Sequence, residues 1–161
     1  MVMFDRKILN EQLIISTVQI AKEAGEAITE IYNSDFDCQL KKDLSPITAA
    51  DNLSHKIITE KLKTLTPEIP ILSEESCDIP YKIRSQWAQY WLVDPLDGTK
   101  EFIKKNGEFT VNIALIDNNS PIFGVIHLPV TNETYWGSQV SGSFYSTEKN
   151  DAERINVADN Q

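Results

Sequence analysis

The apolar residues of this chain recur with two different periods, and the change between them limits the folds open to it. From residue 7 to residue 32 they return every third or fourth position, the spacing of one face of an amphipathic helix. The positions that share this face are Ile8, Leu9, Leu13, Ile14, Val18, Ala21, Ala24, Ala27, Ile28 and Ile31. A second helix is predicted in "ITAADNLSHKIITEKLKTL", with Pro67 as its stop. The two helices are expected to pack together.

Beyond Pro67 the pattern is typical of strands. "EIPILSEES" and "YWLVD" are predicted as short buried strands, with a short helix in "YKIRSQWAQ" between them. Segments 109–117 and 121–128 flank the turn signal "NNS", and "ETYWGSQVSGSFYST" predicts another hairpin with Gly137 and Gly142 near its bend. The last dozen residues are polar and show no closing element. Helices followed by hairpin-linked strands predict an α+β fold, an antiparallel sheet covered by long N-terminal helices.

Composition and charge restrict the partners of the protein. The 161 residues, 41% hydrophobic and 24% charged, fit one globular domain. The net charge of -9 repels nucleic acid polymers and anionic surfaces, so a polyanionic partner would need bound cations. Cys38 and Cys77 have no close histidine and predict reduced thiols rather than a zinc module or a disulfide. Without a leader or membrane-span pattern, we expect a cytoplasmic protein, with peripheral placement at the inner membrane face left open.

Two acidic clusters each have an ordinary structural explanation. Asp51 lies three residues after Thr48 at the expected start of the second helix. That spacing is typical of a capping box, and an acid there also favours the positive end of the helix dipole. Glu74 and Glu75 follow an apolar strand and fit a solvated loop. Taken singly, neither cluster requires a function.

A third cluster, "DPLDGT" at residues 94–99, is harder to explain as a turn alone, although its Asp-Pro and Asp-Gly pairs are common turn dipeptides. Asp94 and Asp97 follow a buried strand directly and are therefore fixed at a sheet edge. Their carboxylates and the Leu96 carbonyl are oxygen ligands of the kind that Mg²⁺ prefers. The backbone amides of Gly98 and Thr99, at an expected helix start, suit a phosphate oxygen. A cation clamp beside such amides predicts phosphoryl chemistry.

Three ordered motifs, "SPITAAD", "LSEES" and "DPLDGT", also give the chain a family resemblance. It resembles the inositol monophosphatase-like superfamily of lithium-sensitive, Mg²⁺-dependent phosphatases across nearly its whole length, about Leu13 to Val157. Within that superfamily, "YWLVDPLDGTKEFIKKNGEFTVNIALI" is most similar to the CysQ type of 3'(2'),5'-bisphosphate nucleotidase, which removes a phosphate from adenosine 3',5'-bisphosphate (PAP). Inositol phosphatases usually follow Asp-Gly-Thr with Asn-Phe rather than Lys-Glu-Phe.

The resemblance implies a set of metal ligands, each of which would also meet the substrate phosphate. These are Glu74 and the Leu96 carbonyl on one Mg²⁺, Asp97 on a second, and Asp94 bridging the two. Two-metal catalysis of this kind lowers the pKa of a water toward neutrality and neutralises charge on the attacking and leaving oxygens. Inhibition by Li⁺ is expected from the family.

The resemblance also implies roles for residues that bind no metal. Thr99, oriented by Asp51, would help activate the attacking water, so Asp51 would be both a helix cap and a catalytic partner. The amides of Gly98 and Thr99 would hold the scissile phosphate. Lys41 is expected near the site as a substrate contact.

Members of the family continue into a C-terminal domain, where a Trp-Asp pair adds a carboxylate to the second metal. In this chain the tryptophans are followed by Ala88, Leu92 and Gly137. Residues 1–161 are therefore expected to be the N-terminal metal-binding domain alone, with weak activity against PAP and an uncovered face that allows self-association. The alternatives are an inositol monophosphatase and a non-catalytic metal-binding remnant.

Overall fold

The structure is a computed structural model that describes residues 9–34, 46–76 and 78–156. The predictions for Lys41, Cys38 and Cys77 fall outside these residues. Among the described residues, no helix has both the length and the apolar character needed to cross a membrane.

Two long helices form one layer of the fold. Helix α1 spans Glu11–Asn33 and begins four residues later than the hydrophobic pattern predicts, because Asn10 caps it: the Asn10 side chain accepts a hydrogen bond of 2.9 Å from the Leu13 amide. Helix α2 spans Pro46–Leu65 and ends just before Pro67, as predicted. Helices α1 and α2 pack side by side, with a 2.6 Å ion pair between Lys61 and Glu23 on their exposed edges.

The capping box expected at the start of the second helix is wrong. Helix α2 already begins at Pro46, a residue type that is favoured in the first helical turn because its missing N–H is not needed there. Thr48 therefore lies inside the helix and is not its N-cap. Asp51 belongs to the second turn, where a role at the helix terminus does not explain it.

A seven-stranded sheet forms the second layer, and its strands lie side by side in chain order. They are β1 (Ile71–Ser73), β2 (Gln89–Asp97), β3 (Thr110–Asp117), β4 (Ser120–Leu128), β5 (Glu133–Ser138), β6 (Gly142–Ser146) and β7 (Glu153–Ile155). Strands β1 and β2 are parallel, and every other neighbouring pair is antiparallel. Short helices connect the strands: a 3₁₀ turn at Glu74–Ser76, α3 at Tyr81–Arg84 and α4 at Thr99–Lys104. The predicted α+β class is confirmed.

One detail of the sheet differs from the sequence prediction. Residues 153–155 form a closing strand, β7, which was not expected because all three residues are exposed and carry no apolar alternation. Gly137 is the next-to-last residue of β5 and Gly142 is the first residue of β6, so both lie near the bend of their hairpin, as predicted. The β3–β4 hairpin is confirmed, with positive φ angles at Asn118 and Asn119, as a type I′ turn requires.

The two faces of the sheet have different surroundings. Alternate side chains of the central strands, including Trp91, Ile113 and Phe123, are buried against α1 and α2 and form the hydrophobic core with them. We call the opposite face the open face, because no described helix packs across it. Leu92 and Ile126 on this face are 44% and 48% exposed. The candidate site lies at one end of this face.

Candidate active site

A β-bulge brings two acidic side chains to the same face of the sheet. In a regular strand, residues three apart point to opposite faces, so Asp94 and Asp97 of β2 would normally diverge. In the pairing of β2 with β3, however, Asp94 lies opposite Asn112 and Asp97 lies opposite Thr110. The chain advances three residues along β2 between these two pairs and only two residues along β3. The extra residue restores the parity, and both carboxylates point to the open face. The segment 94–97 is therefore bulged strand and not a turn.

The backbone of the bulge is held from both sides. Ser54 of α2, itself fully buried, donates a 2.8 Å hydrogen bond from its hydroxyl to the carbonyl oxygen of Pro95. The Leu96 amide donates to the carboxylate of Asp94, and the Leu96 side chain is buried in the core. Helix α2 and the core thereby fix the angle at which the bulge presents its acids.

Asp94 carries an unfavourable negative charge. The pKa of Asp94 is raised to about 6. Burial is the largest cause and the charges of Glu74 and Asp97 act in the same direction, while the hydrogen bond from the Leu96 amide lowers the pKa. Glu74 begins the 3₁₀ turn after β1, the parallel neighbour of β2, so its carboxylate meets Asp94 where the two strands end. Three predicted metal ligands, Glu74, Asp94 and Asp97, are thus brought together.

Asp51 adds a further carboxylate from the helical layer. The pKa of Asp51 is raised to about 7. Burial is the largest cause, a hydrogen bond with the Glu75 side chain is the second, and the charges of Glu75, Asp94 and Glu74 raise the pKa further. Sequence reasoning assigned no role to Glu75, although the adjacent pair of glutamates could have indicated one. The structure gives no hydrogen bond between the described side chains of Asp51 and Thr99, so the orienting contact between them stays a prediction.

Buried polar atoms without partners concentrate at this site. In the described part of the chain, four buried side-chain N or O atoms have no hydrogen-bond partner: Asp51 Oδ1, Asp94 Oδ1, Asn112 Oδ1 and Ser146 Oγ. The first three lie in the cluster. A buried oxygen without a donor costs about 1–3 kcal/mol, and a hard divalent cation relieves that cost because it takes oxygen ligands. The oxygens of the cluster therefore fit Mg²⁺.

The fit is to a cation that retains water and not to one that is fully enclosed. Within the described ranges, no three His, Cys, Asp or Glu side chains converge closely enough to form a complete metal site by themselves. Mg²⁺ usually binds through only one or two carboxylates and completes its shell with water and substrate phosphate. Asp94 and Asp97 meet that requirement.

The start of α4 borders the acids. Gly98 precedes the helix with φ +94°, and a Cβ at this position would stand 2.8 Å from the carbonyl oxygen of Glu108, so only glycine fits. Thr99 is the first residue of α4 and is exposed. Phe102 anchors the helix, with ring centroids 5.2 Å and 5.3 Å from those of Tyr32 and Phe109.

A groove of about 1090 Å³ runs across the open face. Glu74, Asp94, Asp97 and Asn112 line its acidic end, and its apolar walls include Leu92, Ile126 and Tyr135. Arg84 of α3 is the one cation among the described lining residues. The groove can hold a ligand with an anionic group and an apolar body, provided that cations neutralise the acids.

Fold and site together define a class of protein. They describe an α+β domain with a seven-stranded sheet whose second strand, β2, presents clustered carboxylates, in a form suited to a divalent cation, at the end of an open groove. The sequence profile of the inositol monophosphatase family matches residues 9–161, so the chain belongs to that family. The resemblance found in the motifs is confirmed.

Individual relatives agree with this assignment. The 3'(2'),5'-bisphosphate nucleotidase CysQ of Escherichia coli strain K12 is 51% identical over 144 residues, 88% of this chain and 57% of that protein. A crystal structure is known for CysQ from Bacteroides thetaiotaomicron, a bacterial member of the inositol monophosphatase family. Its sequence is 37% identical to this chain and its fold matches with a TM-score of 0.82, over 94% of this chain and 60% of the CysQ chain. The extragenic suppressor protein suhB from Bartonella henselae is 31% identical with a TM-score of 0.73, over 92% and 55% of the two chains. The chain thus spans little more than half the length of these relatives.

Proposed function

We propose that these residues form the metal-binding part of a Mg²⁺-dependent phosphatase that removes the 3'-phosphate of PAP. The observation that carries the proposal is the bulge in β2, which sets Asp94 and Asp97 side by side with buried, unpartnered oxygens around them. The choice of PAP is supported by the relatives named as 3'(2'),5'-bisphosphate nucleotidases. Arg84 in the same groove also suits the second phosphate of a bisphosphate.

Four groups would hold the cations: the carboxylates of Glu74, Asp94 and Asp97 and the carbonyl oxygen of Leu96. When bound, Mg²⁺ supplies charge that neutralises the phosphate oxygens and lowers the pKa of an attacking water. The amides of Gly98 and Thr99 would orient the phosphate, because they lie at the start of α4, where backbone N–H groups have no partner within the helix. Lys41 is retained as a proposed substrate contact.

Asp51 is proposed to hold the proton that leaves the attacking water. Asp51 lies beside Glu74 and Asp94, two of the proposed cation ligands, and a carboxylate in that place is suited to general base catalysis. Asp51 Oδ1 is buried and has no hydrogen-bond partner, so it is available to accept a proton or a donor. In this proposal the Thr99 hydroxyl orients the water rather than acting as the base.

Phosphate release tests the proposal directly. The 161 residues should release phosphate from PAP only with Mg²⁺, and far more slowly than the range of about 1–1000 per second typical of enzymes, because a groove that runs along an uncovered face of the sheet positions substrate poorly. Asp94→Asn should abolish release, whereas Asp151→Asn, in the exposed turn between β6 and β7, should not change it. Li⁺ should inhibit.

The same assay decides between the alternatives. Faster release from inositol 1-phosphate than from PAP would identify an inositol monophosphatase, and release from neither substrate with retained Mg²⁺ binding would identify a non-catalytic metal-binding domain. Full enzymatic rates with PAP would refute the expected impairment.

We also propose that two copies associate through the open face. Leu92, Ile126 and Tyr135 on this face are between 37% and 48% exposed, and a patch of this kind favours association. Ile126→Lys should shift the chain toward monomer in sedimentation velocity. Ile15→Lys is the matched control, because Ile15 is 55% exposed on α1, away from the sheet. A wild-type chain that stays monomeric at all concentrations tested would refute the proposal.

A further inference from the structure

Asn112 is a polar residue in the interior of a strand whose other interior residues, 111 and 113–116, are apolar. It lies in β3, "TVNIALID", and shares the open face with Ala114 two residues on. Its partners in the neighbouring strands are Asp94 of β2 on one side and Ile126 of β4 on the other. Directly opposed residues of an antiparallel pair have Cβ atoms about 5 Å apart. Asn112 is therefore an immediate neighbour of Asp94.

The amide group of Asn112 makes one bond and leaves one atom unused. Its Nδ2 donates to the Oδ2 atom of Asp97 at 3.3 Å. This orientation of the amide is chemically required, because the reverse would set the Oδ1 atom against a carboxylate. Consequently Oδ1 faces away from Asp97, and it is buried without a hydrogen-bond partner. The amide contacts one acid and is the register neighbour of the other.

An unsatisfied oxygen at this position is not explained by the fold. An apolar residue of the same branched shape would lie beside Ala114 and Ile126 without leaving a buried acceptor, and Asp97, which would lose the amide donor, is exposed to water, so the replacement should cost little. The amide thus has a cost for folding that a purely structural residue would not impose. A ligand that needs a neutral oxygen beside two carboxylates would remove that cost.

We infer that Asn112 is a positioning residue of the cation site, a role that rests on the proposed function. Its Nδ2 group holds the Asp97 carboxylate on the open face, and its Oδ1 atom serves the oxygen shell of a divalent cation bound by Asp94 and Asp97. Residues that orient metal ligands in this way typically change metal affinity by about 10- to 100-fold when they are replaced.

The test measures Mg²⁺ and Mn²⁺ affinity by calorimetry, together with thermal unfolding of the cation-free chain. Asn112→Leu, which keeps the branching of the side chain, should weaken binding about tenfold or more while the melting temperature stays the same or rises. Asn112→Gln keeps the amide and should recover part of the affinity. Asn150→Leu, the same change in the exposed turn before β7, should leave affinity unchanged.

Each outcome has one meaning. Unchanged affinity in Asn112→Leu, with binding lost in Asp94→Asn, overturns the role of Asn112 and leaves the proposed function intact. If both Asn112→Leu and Asn112→Gln lose affinity and both also have a lowered melting temperature, Asn112 has a structural role, and the inference is overturned as well. If the wild-type chain binds neither ion at millimolar concentration, the cation site itself fails, and the proposed function fails with it.

Discussion

Replacing one carboxylate of the cluster should stabilise the cation-free protein and remove its response to Mg²⁺. In Asp94→Asn the neutral amide keeps the shape of the side chain and removes the charge that burial and Glu74 oppose. The pKa of Asp94 is raised from 3.8 to about 6, and each pH unit of pKa difference corresponds to about 1.4 kcal/mol. For a fully buried group, this pKa difference would correspond to a gain of about 3 kcal/mol in the free energy of unfolding of Asp94→Asn. Because solvent reaches the half-buried Asp94, we expect roughly half of that gain, about 1.5 kcal/mol at pH 8.

The gain has a definite dependence on pH. Because the folded state holds the Asp94 proton more tightly than the unfolded chain does, the penalty is fully present above pH 6 and disappears as the pH falls toward 3.8. The advantage of Asp94→Asn should therefore shrink between pH 8 and pH 5. For a chain of this length, about 1.5 kcal/mol corresponds to a rise in melting temperature of roughly 3–6 °C at pH 8.

Thermal unfolding followed by circular dichroism, in EDTA and in Mg²⁺, provides the assay. At a Mg²⁺ concentration 100 times the dissociation constant, the wild-type chain should gain about 2.7 kcal/mol and the variant should gain nothing. The order of stability should thus reverse: Asp94→Asn is the more stable protein in EDTA and the less stable one in Mg²⁺. Asp151→Asn should follow the wild type in both. A variant that is destabilised in EDTA, or that still responds to Mg²⁺, would refute the electrostatic reasoning.

Three further predictions concern the same site and its supports. Without cations, proton uptake on Asp51 should favour the folded state from pH 8 to pH 5, while His127, whose pKa burial lowers to about 4, opposes it equally in any variant, so the melting temperature of the wild type should rise relative to that of Asp51→Asn over this range; an unchanged difference between the two proteins would contradict this. Gly98→Ala should cost about 1–3 kcal/mol, since its φ is +94° and its Cβ would stand 2.8 Å from a backbone oxygen; denaturant unfolding measures the loss, and an unchanged midpoint would count against it. Ser54→Ala should cost about 1–3 kcal/mol by leaving the Pro95 carbonyl without its buried donor; equal stability in urea unfolding would show that the bond is dispensable.

Much of the fold follows from periodicity, because long helices and hairpins are encoded locally. The apolar face of α1, the stop of α2 at Pro67 and the β3–β4 turn at Asn118-Asn119 all depend on neighbours within a few residues. Strand β7 could not be predicted in this way, since its three exposed residues are ordered by pairing with β6 and not by a pattern of their own.

The site was only partly predictable, for a related reason. The motifs identify Asp94 and Asp97 as candidates, but a local pattern cannot show that both point to one face, since this depends on how many residues β3 sets against them. The roles of Glu75 and Asn112 depend on contacts with residues far along the chain. An isolated Asn in an apolar strand was the only sequence signal for Asn112, and it has many ordinary causes.

The rigidity of the supports explains why the cluster keeps its charge repulsion. Asp51 lies on a twenty-residue helix, and Asp94 lies in strand β2, between β1 and β3 and one residue after the buried Val93. Packed helices and strands of this kind cannot separate by small movements without opening the core. The repulsion therefore cannot be relieved by displacement, and only two routes remain: uptake of a proton, which the raised pKa values of Asp51 and Asp94 express, and uptake of a cation. On the proposed function, a site held in this state would be organised for a cation before the cation arrives, which is the condition for strong electrostatic stabilisation of a bound phosphate.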